Sequence, residues 1–439
     1  MKHVFLSHSG RLRRYYDSAM STSTLNPTAP NVGNSLRQDA GVIGLVGLAH
    51  MISHFSQLLL PPLFPWLKDA FNASYTELGF LMTVFFVVSC ITQTLSGFVV
   101  DKFGPRPILF AGLTLLGLAA FGFSVSTSYW MMACFSALGG VGNGVFHPVD
   151  YTLLNRKVSA SRLGHAYSTH GITGSLGWAL APALLVPIAL TWSWREALMV
   201  AGALAFVVLA ILIVNRDKLT LTAAVPVATG AKATATAAPA QDGSLDFLKI
   251  PAVWMCFGFF FLYAIVISVI QAFAPEAARQ LHGVPLALAA MCLTIYMVCS
   301  AGGMVLGGFL AADPSRCERI VGGAFGVAVV FALTLGFAHL SAWVVPVVFG
   351  VMGFASGIAG PSRDLLVKKS TPANSTGRVY GVVYSGLDIG QAVAPLIFGG
   401  LMDHHQYSGV FLGLALVQGV LIASAFNVRR VRRTGLAVA

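Results

Sequence analysis

The sequence predicts an all-α integral membrane protein: twelve transmembrane helices in two pseudo-symmetric six-helix halves, with both chain termini in the cytoplasm. Three observations predict it. The first is the scarcity of charge. Of 439 residues, 56% are hydrophobic and only 10% charged, with mean hydropathy +0.77, against about 25% charged in a soluble domain. Several apolar runs reach the roughly 20 residues that cross a bilayer as a helix. They contain Gly, Pro and aromatic residues without strict alternation, which argues for helices and against barrel strands. The second is an internal repeat. Gly140 to Pro182 aligns without a gap on Gly353 to Pro395, 213 residues later, with eleven of 43 positions identical. Gly140/Gly353, Gly144/Gly357, Pro148/Pro361, Gly164/Gly377, Tyr167/Tyr380, Gly177/Gly390 and Pro182/Pro395 are among them. Matches at Gly and Pro carry most weight because those residues set backbone geometry. The third is the distribution of cations. With both termini inside, 23 of the 27 Lys and Arg residues fall on the inner side, and only Lys68, Arg195 and Arg279 on the outer, a strong positive-inside bias.

In chain order, residues 1–40 are polar, with Arg11, Arg13 and Arg14 in a Ser/Thr/Asn/Pro-rich tract, and read as a disordered cytoplasmic N-terminus. No apolar core precedes Gly41, so this is not a secretory signal. The tract beginning at Met20 reads as an alternative start. The N-terminal half, 41–214, holds helices at about 42–67, 76–100, 107–126, 130–154, 163–190 and 195–214. Residues 215–250, rich in Ala, Thr and Pro, read as a flexible cytoplasmic linker. The C-terminal half, 251–428, holds helices at about 251–274, 285–311, 319–338, 342–367, 377–401 and 408–427. Residues 429–439 form a basic cytoplasmic tail. Two homologous halves about a pseudo-two-fold axis are the construction of many secondary transporters. The net charge of +11 gathers at the inner leaflet, which argues against a nucleic-acid partner. Six cysteines lie in or beside apolar runs without a CxxC pair and read as packing residues. Gly140-x-Gly142-x-Gly144 follows no strand and precedes no P-loop lysine, so it is no nucleotide site. No catalytic constellation, ATPase motif or cofactor motif is visible, so an enzyme is not expected and transport would run on a gradient.

The repeat is symmetric in its scaffold but not in its polar residues: Asp150 aligns with Arg363, His147 with Gly360 and Ser175 with Asp388. Polar groups at bilayer depth are costly and usually face a cavity. His50, His54 and Gln57 share a face of the first helix at i, i+4 and i+7. They read as substrate contacts or a proton relay, or as histidines hydrogen-bonded inside the bundle. Paired histidines at i, i+4 also suit a transition metal. No third Cys, Asp or Glu lies on that face, so no metal is expected. Asp388, near the middle of the eleventh helix, reads either as a group that exchanges a proton during a cycle or as a hydrogen-bond partner of Ser, Tyr384 or Gln391. Asp150 and Arg363, near the inner ends of helices 4 and 10, read as a cytoplasmic gate or as interfacial charges reaching the headgroups. Asp364 is an alternative partner for Arg363. His147 and His170 are weaker candidates, more consistent with packing.

Between the second and third helices stands GFVVDKFGPRP, Gly97 to Pro107. Gly97 admits a close neighbour, Asp101 is an anion at a helix end, and Lys102 and Arg106 hold the loop at the inner surface. The spacing Gly97-x-x-x-Asp101-Lys102-x-Gly104-x-Arg106 resembles the signature loop of the major facilitator superfamily. That resemblance covers about residues 41–428 and implies the fold above, transport by alternating access, and a latch at this loop. The second-half equivalent, GGFLAADPSRCER, is degraded, with Asp313 one residue further from Gly308. A narrower resemblance rests on AHMISHFSQLLLPPLFPWL (Ala49 to Leu67) and GNGVFHPVD (Gly142 to Asp150), which are similar to the fosmidomycin-resistance group of drug efflux carriers. His54 stands where part of that group carries an acid, and the helix-4 arginine of many proton antiporters is absent. Gly174-x-x-Gly177 and Gly386-x-x-x-Gly390, each followed by Ala-Pro, resemble a loose form of the helix-5 antiporter motif or mark close helix packing. Together these imply a monomer in a bacterial inner membrane that exports a small drug-like or anionic compound against the proton gradient. The alternatives are import of a metabolite on the same fold, and a sensor on that fold that carries no flux.

Overall fold

The computed structural model describes residues 34–221, 251–311, 316–370 and 376–437. The N-terminal tract, most of the linker and Asp313 lie outside them. The described residues contain helices and no strand. The first half holds α1 (Leu36–Gln57), a short α2 (Phe64–Phe71), α3 (Tyr75–Phe103), α4 (Pro105–Val125), α5 (Tyr129–Asn143), α6 (Phe146–Lys157), α7 (Leu163–Thr191) and α8 (Trp194–Val214). The second holds α9 (Pro251–Ala272), a short α10 (Ala274–His282), α11 (Leu286–Leu310), α12 (Cys317–Phe337), α13 (Val344–Ser370), α14 (Thr376–Asp403) and α15 (Tyr407–Ala437). Among the described residues, eleven stretches are long and apolar enough to cross a membrane.

The fourth span of the first half is the exception, because α5 and α6 are separate where the sequence predicts one helix. Pro148 removes a hydrogen bond at the break, although its match Pro361 sits inside the unbroken α13. Pro148 has no N–H to give the carbonyl of Gly144 and its ring crowds that oxygen. The released Gly144 carbonyl accepts a hydrogen bond from Ser96 Oγ at 3.3 Å instead. A serine of a neighbouring helix thereby satisfies a backbone group that lipid could not. At the end of the first span, Pro61 and Pro62 stop α1, and a short 3₁₀ turn leads into α2.

The glycines matched in the repeat make matched contacts. A Cβ on Gly140 would lie 2.5 Å from the Phe85 carbonyl oxygen, and on Gly353 2.1 Å from that of Tyr296. At Gly144 and Gly357 the obstacles are the Ser89 and Ser300 carbonyls, at 2.5 and 2.0 Å. At Gly177 and Gly390 they are the Met51 and Phe261 carbonyls, at 2.2 and 2.4 Å. Thus α5 meets α3 as α13 meets α11, and α7 meets α1 as α14 meets α9. Backbones approach this closely only at Gly, as is usual between membrane helices.

The seam between the halves repeats the symmetry. Thr83 Oγ1 of α3 donates to the Ala392 carbonyl of α14 at 2.6 Å, and Thr294 Oγ1 of α11 donates to the Ala179 carbonyl of α7 at 3.1 Å. Each acceptor sits three residues before a matched proline, Pro395 or Pro182, inside a continuous helix. Further along α3, Asp403 at the end of α14 accepts from the backbone N–H groups of Tyr75 and Thr76 at 2.7 and 2.9 Å, and from Thr76 Oγ1 at 2.6 Å. This end of the bundle, remote from the chain termini, is called the far face. Three Trp residues at helix ends there, Trp130, Trp192 and Trp343, are at least 71% exposed, as expected of an aromatic belt at the headgroups.

The apolar core divides accordingly. On the far side one cluster is continuous through both halves, from Leu78, Met82 and Phe85 to Ala392 and Phe398. Towards the termini it separates into a cluster confined to the first half, around Val46, Leu109 and Phe146, and smaller ones confined to the second, around Phe325 and Phe260. The polar contacts described at that end stay within the first half. Asp39 accepts from Arg162 Nε at 2.7 Å, and Thr220 is held by Lys157 and Arg106. The far face is closed by side chains of both halves.

Candidate functional site: a histidine–carboxylate cluster beside the seam

The first half concentrates its chemistry where α1, the α5/α6 break and α7 meet. The i, i+4 spacing puts His50 and His54 on one side of α1, with ring centroids 4.3 Å apart. Gly174 and Gly177 let α7 press against that side: a Cβ on Gly174 would lie 2.8 Å from His54 Nδ1 and 3.1 Å from His50 Nε2. One turn before Gly174, His170 stacks on His50 at 3.5 Å between centroids. From α6 come His147, 5.4 Å from the His50 ring, and Asp150, whose residue is fully buried. Asp150 Oδ2 lies 3.0 Å from His50 Nδ1 and 3.1 Å from His170 Nε2. With Asp150 ionised it only accepts, and both nitrogens then donate to it.

A second network lies one turn further along α1. Ser53 Oγ and Gln57 Nε2 donate to Asn143 Oδ1 at 2.8 and 3.1 Å, and Asn143 Nδ2 donates to Ser89 Oγ at 2.8 Å. Trp178 Nε1 donates to Gln57 Oε1 at 2.9 Å, and the Trp178 ring stacks on His54 at 4.3 Å. His54, Gln57, His147 and Trp178 are half-buried, while His50, Asn143, Asp150 and His170 are buried. From Asp150 a line of rings runs through His170, Tyr151 and Tyr167, and both tyrosines are 40% exposed.

The second half supplies Asp388, near the middle of α14. Its Oδ2 accepts from Gln93 Nε2 of α3 at 3.3 Å, across the seam. Its counterpart in the repeat, Ser175 of α7, has its Oγ 3.8 Å from the sulfur of Met304 on α11.

Residues 46–395 match the family model described as Major Facilitator Superfamily. The chain belongs to the Major Facilitator Superfamily. Solved structures agree on the fold. A bacterial homologue of the human lysosomal transporter Spinster, in an inward-facing and occupied conformation, superposes with a TM-score of 0.72 at 14% identity, covering 90% of this chain and 98% of that one. The nucleoside transporter NupG, as a mutant, gives 0.67 at 14% identity, covering 87% and 99%. Among curated relatives, the fosmidomycin resistance protein of Escherichia coli is 29% identical over 184 residues, 40% of this chain and 43% of that protein. The membrane sensor protein UhpC of Salmonella typhimurium is 30% identical over 154 residues, 33% of this chain and 35% of that protein. The matched segments therefore span less than half the length of these relatives. The protein is a multi-pass protein of a bacterial inner membrane.

In this major facilitator chain the structure brings together His50 and His54 of α1, His147 and Asp150 of α6, and His170 of α7. The first-helix face alone lacks a third metal-ligand type, but α6 and α7 supply it. Asp150, expected at an inner gate, is committed here to two histidines of its own half. Arg363 lies over the rings of Tyr263 and Phe260 in the other half, at 4.3 and 5.6 Å. A charge pair between Asp150 and Arg363 would therefore need a rearrangement. In the signature loop, Gly104 has φ of 81°, a conformation that favours glycine. Arg106 Nη1 donates to Thr220 Oγ1 at 2.6 Å, tying the loop to the end of the first half. Asp101 and Lys102 are exposed. The close neighbour expected at Gly97 is not present among the described residues. Asn143 and Trp178 were not anticipated; a lone amide inside an apolar helix was the available signal for the first.

Proposed function

We propose that the protein is a secondary active transporter that exports a small drug-like or anionic compound in exchange for protons, by alternating access. In this reading residues 41–214 rock against residues 251–428, as a monomer. The termini lie in the cytoplasm, as the Lys/Arg asymmetry supports, so the arrangement described is the one with its outer side closed. Asp388 carries the proton. His54, His50, Gln57 and His147 line the central cavity. Gly97, Asp101, Lys102, Gly104 and Arg106 form the latch that engages when the cytoplasmic side closes.

One observation carries the reading: a carboxylate at bilayer depth, on the seam between the halves, bonded to the neutral amide of Gln93 at 3.3 Å. A neutral partner cannot balance its charge, and an uncompensated anion there is expensive. Taking up and releasing a proton as access alternates removes that cost. The likeness to a fosmidomycin resistance protein supports export, and net anionic cargo suits the excess of imidazole over carboxylate in the first half. The test is proton movement in inside-out vesicles energised by respiration, with antibiotics and phosphonates added in turn. The expected result is that one compound discharges the pH gradient and that Asp388→Asn abolishes this while leaving exchange of the compound. Substrate-driven proton movement unchanged in Asp388→Asn would overturn the role of Asp388. Uptake of a metabolite with protons would establish import, and no flux of any kind would favour the sensor reading that the likeness to UhpC raises.

A further inference from the structure

We propose that His50, His147 and His170, with Asp150, form a binding site for a first-row divalent transition ion of the zinc class inside the N-terminal half. The site stands on residues other than Asp388 and holds whether or not the carrier moves protons. Each of the three imidazoles offers one nitrogen, and these atoms lie within 4.8 Å of one another. They come from α1, α6 and α7, so the fold, not one helix's periodicity, assembles them. Around zinc, nitrogens about 2.0 Å from the metal stand roughly 3.3 Å apart in a tetrahedron. The nitrogens must close by up to about 1.5 Å, and the His50 and His170 rings, stacked at 24°, must tilt towards a common point.

Three further features fit a metal. Asp150 Oδ2 takes the N–H of His50 Nδ1 and of His170 Nε2, which leaves His50 Nε2 and His170 Nδ1 unprotonated. A carboxylate that fixes tautomers in this way is the usual outer support of metal-binding histidines. Next, Asp150 Oδ1 and His147 Nδ1 are buried without a hydrogen-bond partner among the described residues. Each such group costs about 1–3 kcal/mol when left unmet, and a cation held by the three histidines lowers that cost. Last, the only ion-pair partners described for the fully buried Asp150 are the two histidines, with no Lys or Arg. A divalent ion supplies the missing positive charge. Imidazole donors select zinc, cobalt, nickel or copper over calcium and magnesium. Three protein nitrogens leave a fourth position on the half-buried His147 side, where water or an anion binds.

The test uses the full-length protein in detergent, free of any affinity tag and stripped with a chelator. Cobalt(II) is titrated in and the visible absorption of tetrahedral cobalt recorded, then displaced with zinc. The expected result is one cobalt per chain with a tetrahedral spectrum. His147→Gln is the decisive variant, because it removes no described hydrogen bond and so should fold. It is expected to weaken binding about a hundredfold, and Asp150→Asn about 10–100-fold through the histidines it orients. His165→Ala, exposed on α7, serves as the control and leaves binding unchanged. Zinc should also raise the melting temperature of the wild type and not that of His147→Gln. Absence of a tetrahedral band, or cobalt binding equally strong in His147→Gln, would overturn the proposal; the latter would assign the metal to surface or N-terminal histidines.

Discussion

Removing the carboxylate of Asp403 should open the far face. Its two oxygens accept three hydrogen bonds from the first turn of α3, at 2.6 to 2.9 Å, and so bridge the halves at a helix N-terminus. A bond to an ionised acceptor contributes about 1.5–3 kcal/mol, and an anion at a helix N-terminus about 0.3–1 kcal/mol more. Asp403 is half-buried, so water replaces part of this once the side chain is gone, and three bonds to one group do not add in full. A net loss of about 2–4 kcal/mol from the closed arrangement is the reasonable figure. At 1.4 kcal/mol per tenfold, that shifts the closed-to-open ratio about 30- to 1000-fold. The readout is the distance distribution between spin labels at Ala70 and His404, both exposed on the far face and in different halves. Asp403→Ala should move most of the population to longer distances, and Asp403→Asn, which keeps an acceptor but not the charge, about half as far in free energy. A distribution in Asp403→Ala that overlays the wild type would refute the view that this cap holds the far face closed.

Two other predictions test the packing. Gly357→Ala places a Cβ 2.0 Å from the Ser300 carbonyl oxygen and must push α13 away from α11, at a cost of about 1–3 kcal/mol. Its melting temperature should fall clearly, whereas Gly360→Ala, facing only the flexible Met304 side chain at 3.4 Å, should melt near the wild type. Thr83→Val and Thr294→Val should each weaken the far-side seam by about 0.5–1.5 kcal/mol. Because they act on opposite sides of the pseudo-two-fold, their effects on the same spin-label distances should add.

How much could be read before the structure depended on which geometry a residue reports. Gly and Pro report the backbone, and the matched pairs Gly144/Gly357 and Gly177/Gly390 announced helix contacts that the structure then shows in both halves. Lys and Arg report the headgroups, and their asymmetry supported a topology with both termini inside. Side-chain chemistry was legible only along a single helix. His50 and His54 declared a shared face because i, i+4 is a local relation. Their meeting with His170 and Asp150 depends on the rotation of α6 and α7 about their own axes, which one sequence does not encode in any spacing. The same limit misplaced Asp150, whose position near the inner end of a helix suggested headgroups while its rotation turns it into the bundle. The break at Pro148 was missed because the preceding and following residues are apolar enough to read as one helix. The serine that satisfies the freed carbonyl lies 48 positions earlier in the chain.

The histidine–carboxylate cluster is drawn wholly from α1, α6 and α7, three helices of one half, and none of its members reaches across the seam. Rocking the halves would leave every distance within it intact. Under the proposed rocking the cluster would stay at one depth and present the same donors in each state, while only the side it opens to would change. Discrimination between loading and unloading has to come from groups that straddle the boundary. Among the described residues those include Gln93 with Asp388, the two threonines with their carbonyls, Tyr75 with Glu276, and Asp403 on the end of α3.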